Sequence, residues 1–244
     1  MYAPLAVDTE SAHGWGREVL DANLAKARSE APDLVIDGLL VGGPPAQMLV
    51  QQSQQASMVV VGRRGRGGFS SLLLGSTSDA VARHSHVPVL VARSETSVSL
   101  EAGAPVIVGI DGSESSTGAI EFAFESASMM GAPLVAVHAW TSHDVFADAI
   151  DEHSESGVAR GQVEAHLILS EALAGWREKY PEVTVKELAL REHPVQALTS
   201  LGKHAQLVVV GSRGRGGFAG VLLGSVGHGV LHHCTGQVAV VHPS

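Results

Sequence analysis

From residue 105 onward, short apolar runs alternate with segments whose apolar residues recur at helical spacing. The run 105–113, PVIVGIDGS, closes on Asp-Gly-Ser and predicts a buried strand ending in a turn. Residues 114–131 predict a helix stopped by Gly131, and 132–140, APLVAVHAW, a second strand. A polar stretch, 141–155, precedes a long amphipathic helix over 156–179 that ends at the break made by Pro181. Residues 182–190 alternate like a strand with one wetter face, a helix follows over 194–204, and 206–211 is almost entirely apolar. A glycine-rich loop, a short helix over 226–232 and a last strand over 237–242 complete the order β-α-β-α-β-α-β-loop-α-β. Near-continuous Val/Ile/Leu strands separated by helices predict a parallel sheet covered on both faces.

The earlier part of the chain repeats this pattern, though not from its beginning. VVVGRRGRGGFSSLLLGS at 59–76 and VVVGSRGRGGFAGVLLGS at 208–225 agree at 14 of 18 positions, 149 residues apart. The same offset lays Pro32 on Pro181, Pro45 on Pro194, DLVIDGLLV (33–41) on 182–190, and a helix over 11–30 on the long helix. Residues 105–149 have no counterpart, so the first copy is expected to lack the first strand, first helix and second strand. The domain reading is a truncated repeat over 1–93, a polar linker over 94–104 and a complete repeat over 105–244. Strands 33–41 and 58–62 are then expected to pair directly, to borrow a strand from another chain, or to leave backbone groups unpaired.

Composition narrows the function classes. A net charge of −9 argues against a general nucleic-acid or membrane binder. The single cysteine, Cys234, excludes an intrachain disulfide and reads as a packed thiol, which fits a cytoplasmic setting. No apolar run approaches the roughly 20 residues that cross a bilayer, and the N-terminus lacks the pattern of a signal peptide.

The repeated loop follows G-x2-G-x9-G-S, with Gly211, Gly214, Gly224 and Ser225 in the second copy and Gly62, Gly65, Gly75 and Ser76 in the first. A glycine directly after a strand lets main chain approach a ligand with no Cβ in the way. Gly-Ser before a helix gathers free N–H groups, the positive end of the helix dipole and a hydroxyl, a combination suited to phosphate. Arg213 and Arg215 offer charge-assisted contacts to outer phosphates. Competing readings are a plain turn or an RNA-binding RGG segment, though the latter belongs in long disordered tracts. The Walker A pattern and the dinucleotide G-x-G-x-x-G fingerprint are both absent.

VIVGIDGSESS, VAVHAW and VVVGSRGRGGFAGVLLGSV together resemble the universal stress protein family in its tandem, actinobacterial form. The resemblance implies an α/β fold with an open five-stranded parallel sheet of order 3-2-1-4-5, and ATP, with or without Mg²⁺, as the ligand. It assigns Asp111, with Gly109 and Ile110 beside it, to the ribose and adenine region, and Ala139 to the adenine. Val210, Gly211, Arg213, Gly214, Gly224, Ser225 and Val226 would cradle ribose and phosphates. One departure is Gly227, where a hydroxyl is common in the family; its first-copy counterpart is Ser78. The first copy carries Gly62, Arg64, Gly65, Gly75, Ser76 and Thr77 but nothing in place of Asp111 or Ala139, so only the second copy is expected to bind ATP fully. In this family the last strand of the sheet joins two copies, so strands 87–92 and 237–242 are expected either to pair with each other or to build a homodimer.

The expected role is a nucleotide-dependent stress or signalling module. A slow ATPase or phosphotransferase is the alternative, but no base for the γ-phosphate can be named, and a nucleotide-independent scaffold sits poorly with the intact glycine pattern. His228 and His232 have the spacing of zinc ligands on a helix but no apparent third ligand, so no metal site is expected.

Overall fold

The structure, a computed structural model, describes residues 9–63, 74–93, 103–113, 115–141, 155–215 and 222–243. The chain forms two compact units, Met1–Pro44 and Pro45–Ser244.

The first unit holds helix α1 (Thr9–Glu30) and the segment after it. Nη2 of Arg28 donates to the Ile36 carbonyl at 2.7 Å, and the Leu20 and Leu24 side chains close on Gly38. Residues 35–42 take no regular secondary structure, so the strand expected over 33–41 is not formed. A strand without a neighbour leaves its N–H and C=O groups outside any ladder. Val35 is 93% exposed and Leu39 67%, while Ile36 and Leu40 on the alternate positions are half-buried, Leu40 lying against Gly16 of α1.

The second unit is built on one sheet. In chain order its elements are α2 (Pro45–Ser53), β1 (Val59–Gly62), α3 (Ser76–His84), β2 (Val89–Ala92), β3 (Val106–Gly109) and α4 (Ser115–Met130). Next come β4 (Leu134–Trp140), α5 (Glu155–Ala172), α6 (Trp176–Lys179), β5 (Val185–Arg191) and α7 (Pro194–Leu201), followed by a single 3₁₀ turn. β6 (Leu207–Gly211), α8 (Ser225–His233) and β7 (Val238–Val241) complete the chain. The long helix expected over 156–179 is thus split into α5 and α6. Gly175, at a left-handed φ of 81°, sits at the break.

The strands lie in the order β1-β2-β7-β6-β3-β4-β5, which replaces the expected five-stranded sheet with a seven-stranded one. The second copy's strands, β5-β4-β3-β6-β7, are parallel throughout, in the order 3-2-1-4-5 among themselves. The two added strands come from the first copy. β2 pairs antiparallel with β7, and β1 pairs parallel with β2. Val89, Val91, Val238 and Val240 are fully buried, so separating these strands would bare both apolar side chains and ladder groups. Joining them within one chain is the first of the two arrangements expected for these strands. β1 stands beside β2 as β6 stands beside β7. β3 lies beyond β6, whereas no strand lies beyond β1 among the described residues.

Alternation along the strands divides the core. Val106, Val108 and Ile110 face α4 and α5, while Ile107 faces the layer of α3, α7 and α8. No helix among the described residues is long and apolar enough to cross a membrane.

Candidate functional site

Three neighbouring parallel strands, β4, β3 and β6, end on the same edge of the sheet. After β3 the chain leaves through α4 on one face, and after β6 it leaves through α8 on the other. Helices departing in opposite senses open a crevice beyond the strand ends.

Asp111 stands at that point. Its Oδ1 accepts hydrogen bonds from the Ser113 N–H at 3.0 Å, the Ser113 hydroxyl at 2.6 Å and the Ser116 hydroxyl at 3.0 Å. Its Oδ2 accepts the main-chain N–H of Arg215 at 2.8 Å. This last bond crosses from the end of β3 to the loop after β6, so Asp111 and residues 211–215 open on one side of the sheet. A carboxylate has about four acceptor directions, and one on Oδ2 remains for a ligand hydroxyl. Burial works against the charge, but the hydrogen bonds from Ser113, the Arg215 N–H and Ser116 outweigh it and hold the Asp111 carboxyl below its ordinary pKa.

A depressed carboxyl pKa stabilises the fold above the unfolded-state value and loses that contribution as pH falls through the folded-state value. Asp111→Asn is therefore expected to be less stable than the parent at neutral pH. The gap should begin to close as pH drops below about 4. Urea unfolding of both proteins between neutral and strongly acid pH measures it, and a gap independent of pH would exclude the ionised carboxylate as its source.

The loop glycines are close to this carboxylate and to main chain. A Cβ on Gly214 would stand 2.5 Å from Asp111 Oδ2, and one on Gly211 would meet the carbonyls of Arg213 and Ser115 at 3.2 Å each. Arg215 lies with its guanidinium against Gly112, whose φ is +74°, just after β3. Gly224 donates its N–H to the Ser212 carbonyl at 2.7 Å and precedes α8 with no side-chain cap. The first N–H groups of α8, from Ser225, Val226 and Gly227, accordingly have no cap, at the positive end of the helix dipole. The Val226 side chain itself packs on the core.

The remaining residues fix the strand ends. Ile110 donates its N–H to Val137 at 2.8 Å and accepts Nδ1 of His138 at 2.7 Å, which locks β3 to β4 just before Asp111. Gly109 ends β3 opposite Val137, Val210 is buried in β6, and Ala139 lies next to last in β4 opposite Leu190. Ser113, Ser116 and His138 were not singled out as site residues. The signal for the two serines was in GIDGSESS, where hydroxyls follow the acid by two and five positions.

The first copy builds a matching half-site. Gly75 donates to the Arg63 carbonyl at 2.9 Å and opens α3, with φ −73° and ψ 145° against −66° and 162° at Gly224. Ser76 and Thr77 follow it into α3, and Gly62 ends β1, while Arg64 and Gly65 lie outside the described residues. The Ser78 hydroxyl is spent on the Gly62 carbonyl at 2.7 Å. The hydroxyl that Gly227 lacks therefore serves, in the first copy, to tie helix to strand. Among the described residues, none of this copy stands where Asp111 or Ala139 does.

With this geometry in place, comparison with known proteins is direct. The model of the universal stress protein family matches residues 2–93 and again 104–242. Universal stress protein Rv2005c of Mycobacterium tuberculosis is 42% identical over 234 residues, covering 94% of this chain and 77% of that protein. Universal stress protein Rv2623 of the same organism is 39% identical over 233 residues, with the same coverage. The crystal structure of a universal stress protein from Archaeoglobus fulgidus superimposes with a TM-score of 0.66 at 22% identity, covering 99% of this chain and 82% of that one. The chain belongs to the universal stress protein family, in a tandem arrangement.

Proposed function

We propose that the second copy binds ATP between the ends of β3, β4 and β6, and that the chain works as a nucleotide-dependent stress or signalling module. The observation that carries this reading is the bond from Arg215 N–H to Asp111 Oδ2, which sets an ionised acid against a glycine-lined loop. A ribose hydroxyl suits the remaining acceptor direction on Asp111. The phosphates suit the uncapped start of α8 at Ser225, with Arg213 exposed nearby. The adenine falls to main chain around Ala139. The first copy has the phosphate half of this arrangement alone, so it contributes weakly or not at all.

Binding is favoured over turnover by the state of the acid. Among the described residues, Asp111 is the one carboxylate hydrogen-bonded to the loop, and four donors already hold it. A general base for water or a hydroxyl needs a carboxylate or imidazole free to take a proton near the γ-phosphate. Purifying the chain, denaturing it and identifying released nucleotide by mass spectrometry tests the proposal. ATP is expected from the parent and not from Gly211→Val or Gly224→Val. Turnover above background that is lost in the same variants would instead make the chain an ATPase.

A further inference from the structure

The two copies meet around an approximate two-fold axis, because in the β2–β7 pairing Leu90 lies opposite Ala239, its own counterpart 149 residues on. The same axis brings α3 against α8. Asp79 on α3 is the counterpart of His228 on α8, and Arg83 is the counterpart of His232. At this seam the copies have diverged into complementary groups, an acid and a guanidinium against two imidazoles.

Asp79 supplies the third ligand that the His228–His232 spacing lacked in the sequence. Its Oδ1 lies 3.9 Å from Nε2 of His228 and 3.9 Å from Nε2 of His232. The three ligand atoms all lie within 4.8 Å of one another, and the two imidazole rings are 4.3 Å apart between centroids. Nε2 of His232 is buried and has no hydrogen-bond partner among the described residues, so it points into the cluster unsatisfied. Arg83 orients Asp79 by donating from Nε to Oδ2 at 2.9 Å and from Nη2 to Oδ1 at 3.2 Å, and Oδ1 keeps a second lone pair.

We propose that Asp79, His228 and His232 form a divalent-metal site across the seam between the copies, with Zn²⁺ the best match. Two imidazoles and one carboxylate are the donor set of an open zinc site, whereas Mg²⁺ and Ca²⁺ prefer oxygen alone. Tetrahedral ligands at zinc distances stand about 3.3 Å apart, so the side chains close by well under the length of a bond to Asp79 and somewhat more between the imidazoles. Water takes the fourth position. The Arg83 guanidinium beside Asp79 opposes the added charge, so this site binds more weakly than a closed structural one. Its consequence is a clamp: a metal held by α3 and α8 fastens one copy to the other at the helix whose first turn also forms the phosphate cradle.

The test uses the whole chain, chelator-treated and stripped of nucleotide, titrated with ZnCl₂ by calorimetry and with CoCl₂ as a spectroscopic probe. The expected result is a single equivalent of zinc per chain and visible absorption of tetrahedral Co²⁺. Affinity should fall more than about tenfold in His228→Ala and in His232→Ala, and stay unchanged in His193→Ala. Arg83→Gln should tighten binding severalfold by removing the competing cation, which loss of fold would not do. No zinc heat and no cobalt spectrum in the parent, or binding that survives the His228→Ala/His232→Ala double variant, overturns the site.

Discussion

Gly214→Val is expected to weaken ATP binding by about a hundredfold while leaving the chain folded. The first carbon of any side chain there would stand 2.5 Å from Asp111 Oδ2, so either the acid or the loop must move. Either motion breaks the Arg215 N–H bond to the carboxylate. A hydrogen bond to a charged group contributes roughly 1.5–3 kcal/mol, which is about ten- to a hundredfold in affinity. The rest of valine then fills space that the nucleoside needs, which adds to the loss. Gly214 lies in a partly exposed loop after β6 and outside the buried core, so the thermal midpoint should change little. Gly65→Val, at the matching position of the first copy, should leave the affinity unchanged. A Gly214→Val protein that binds ATP like the parent would mean the ligand does not come near this loop.

The second large effect is on stability. Phe124 is fully buried on α4 and stacks on Trp176 and Tyr180, with ring centroids 5.9 Å and 5.5 Å away. These contacts hold α4 to the region around α6, which also carries the exposed pairs Lys179–Glu121 and Arg177–Glu187. Surface pairs of that kind contribute little. Phe124→Ala removes both the apolar burial and the stacking, and is expected to cost about 3–5 kcal/mol and lower the melting temperature by roughly 10 °C. Calorimetric melting of the parent and variant checks it. Because α4 also carries Ser116, which holds Asp111, the variant should lose ATP affinity as well, whereas Lys179→Ala should do neither. A midpoint within a degree or two of the parent would show that this cluster is not a structural anchor.

Much of this could be read from the chain. β3, β4, β6, β7 and the helices between them announce themselves because parallel strands buried on both faces must be apolar along their length. The offset of 149 residues matched the two glycine loops to each other and left Asp111 without a counterpart in the first copy. What did not show was anything set by neighbours. The segment 33–41 alternates like a strand, yet alternation describes a surface and does not supply a partner to pair with. The meeting of β2 with β7 was one of two expected arrangements, and the seven-strand count follows from it, with four valines buried along the pairing. The Arg215 bond to Asp111 is made by main chain, which every residue shares, so its side-chain type gave no sign of it. Asp79 was invisible beside His228 and His232 because about 150 residues separate them in sequence; the two-fold relation of the copies brings them together.

The central claim is that one chain carries one complete nucleotide site, built on Asp111 and the loop after β6. Titration calorimetry of the nucleotide-free chain with ATP tests it most directly, run on the parent and on Asp111→Ala. The account predicts a single tight site in the parent, with that site lost in the variant. Two equal tight sites per chain, or one site indifferent to Asp111, would contradict it.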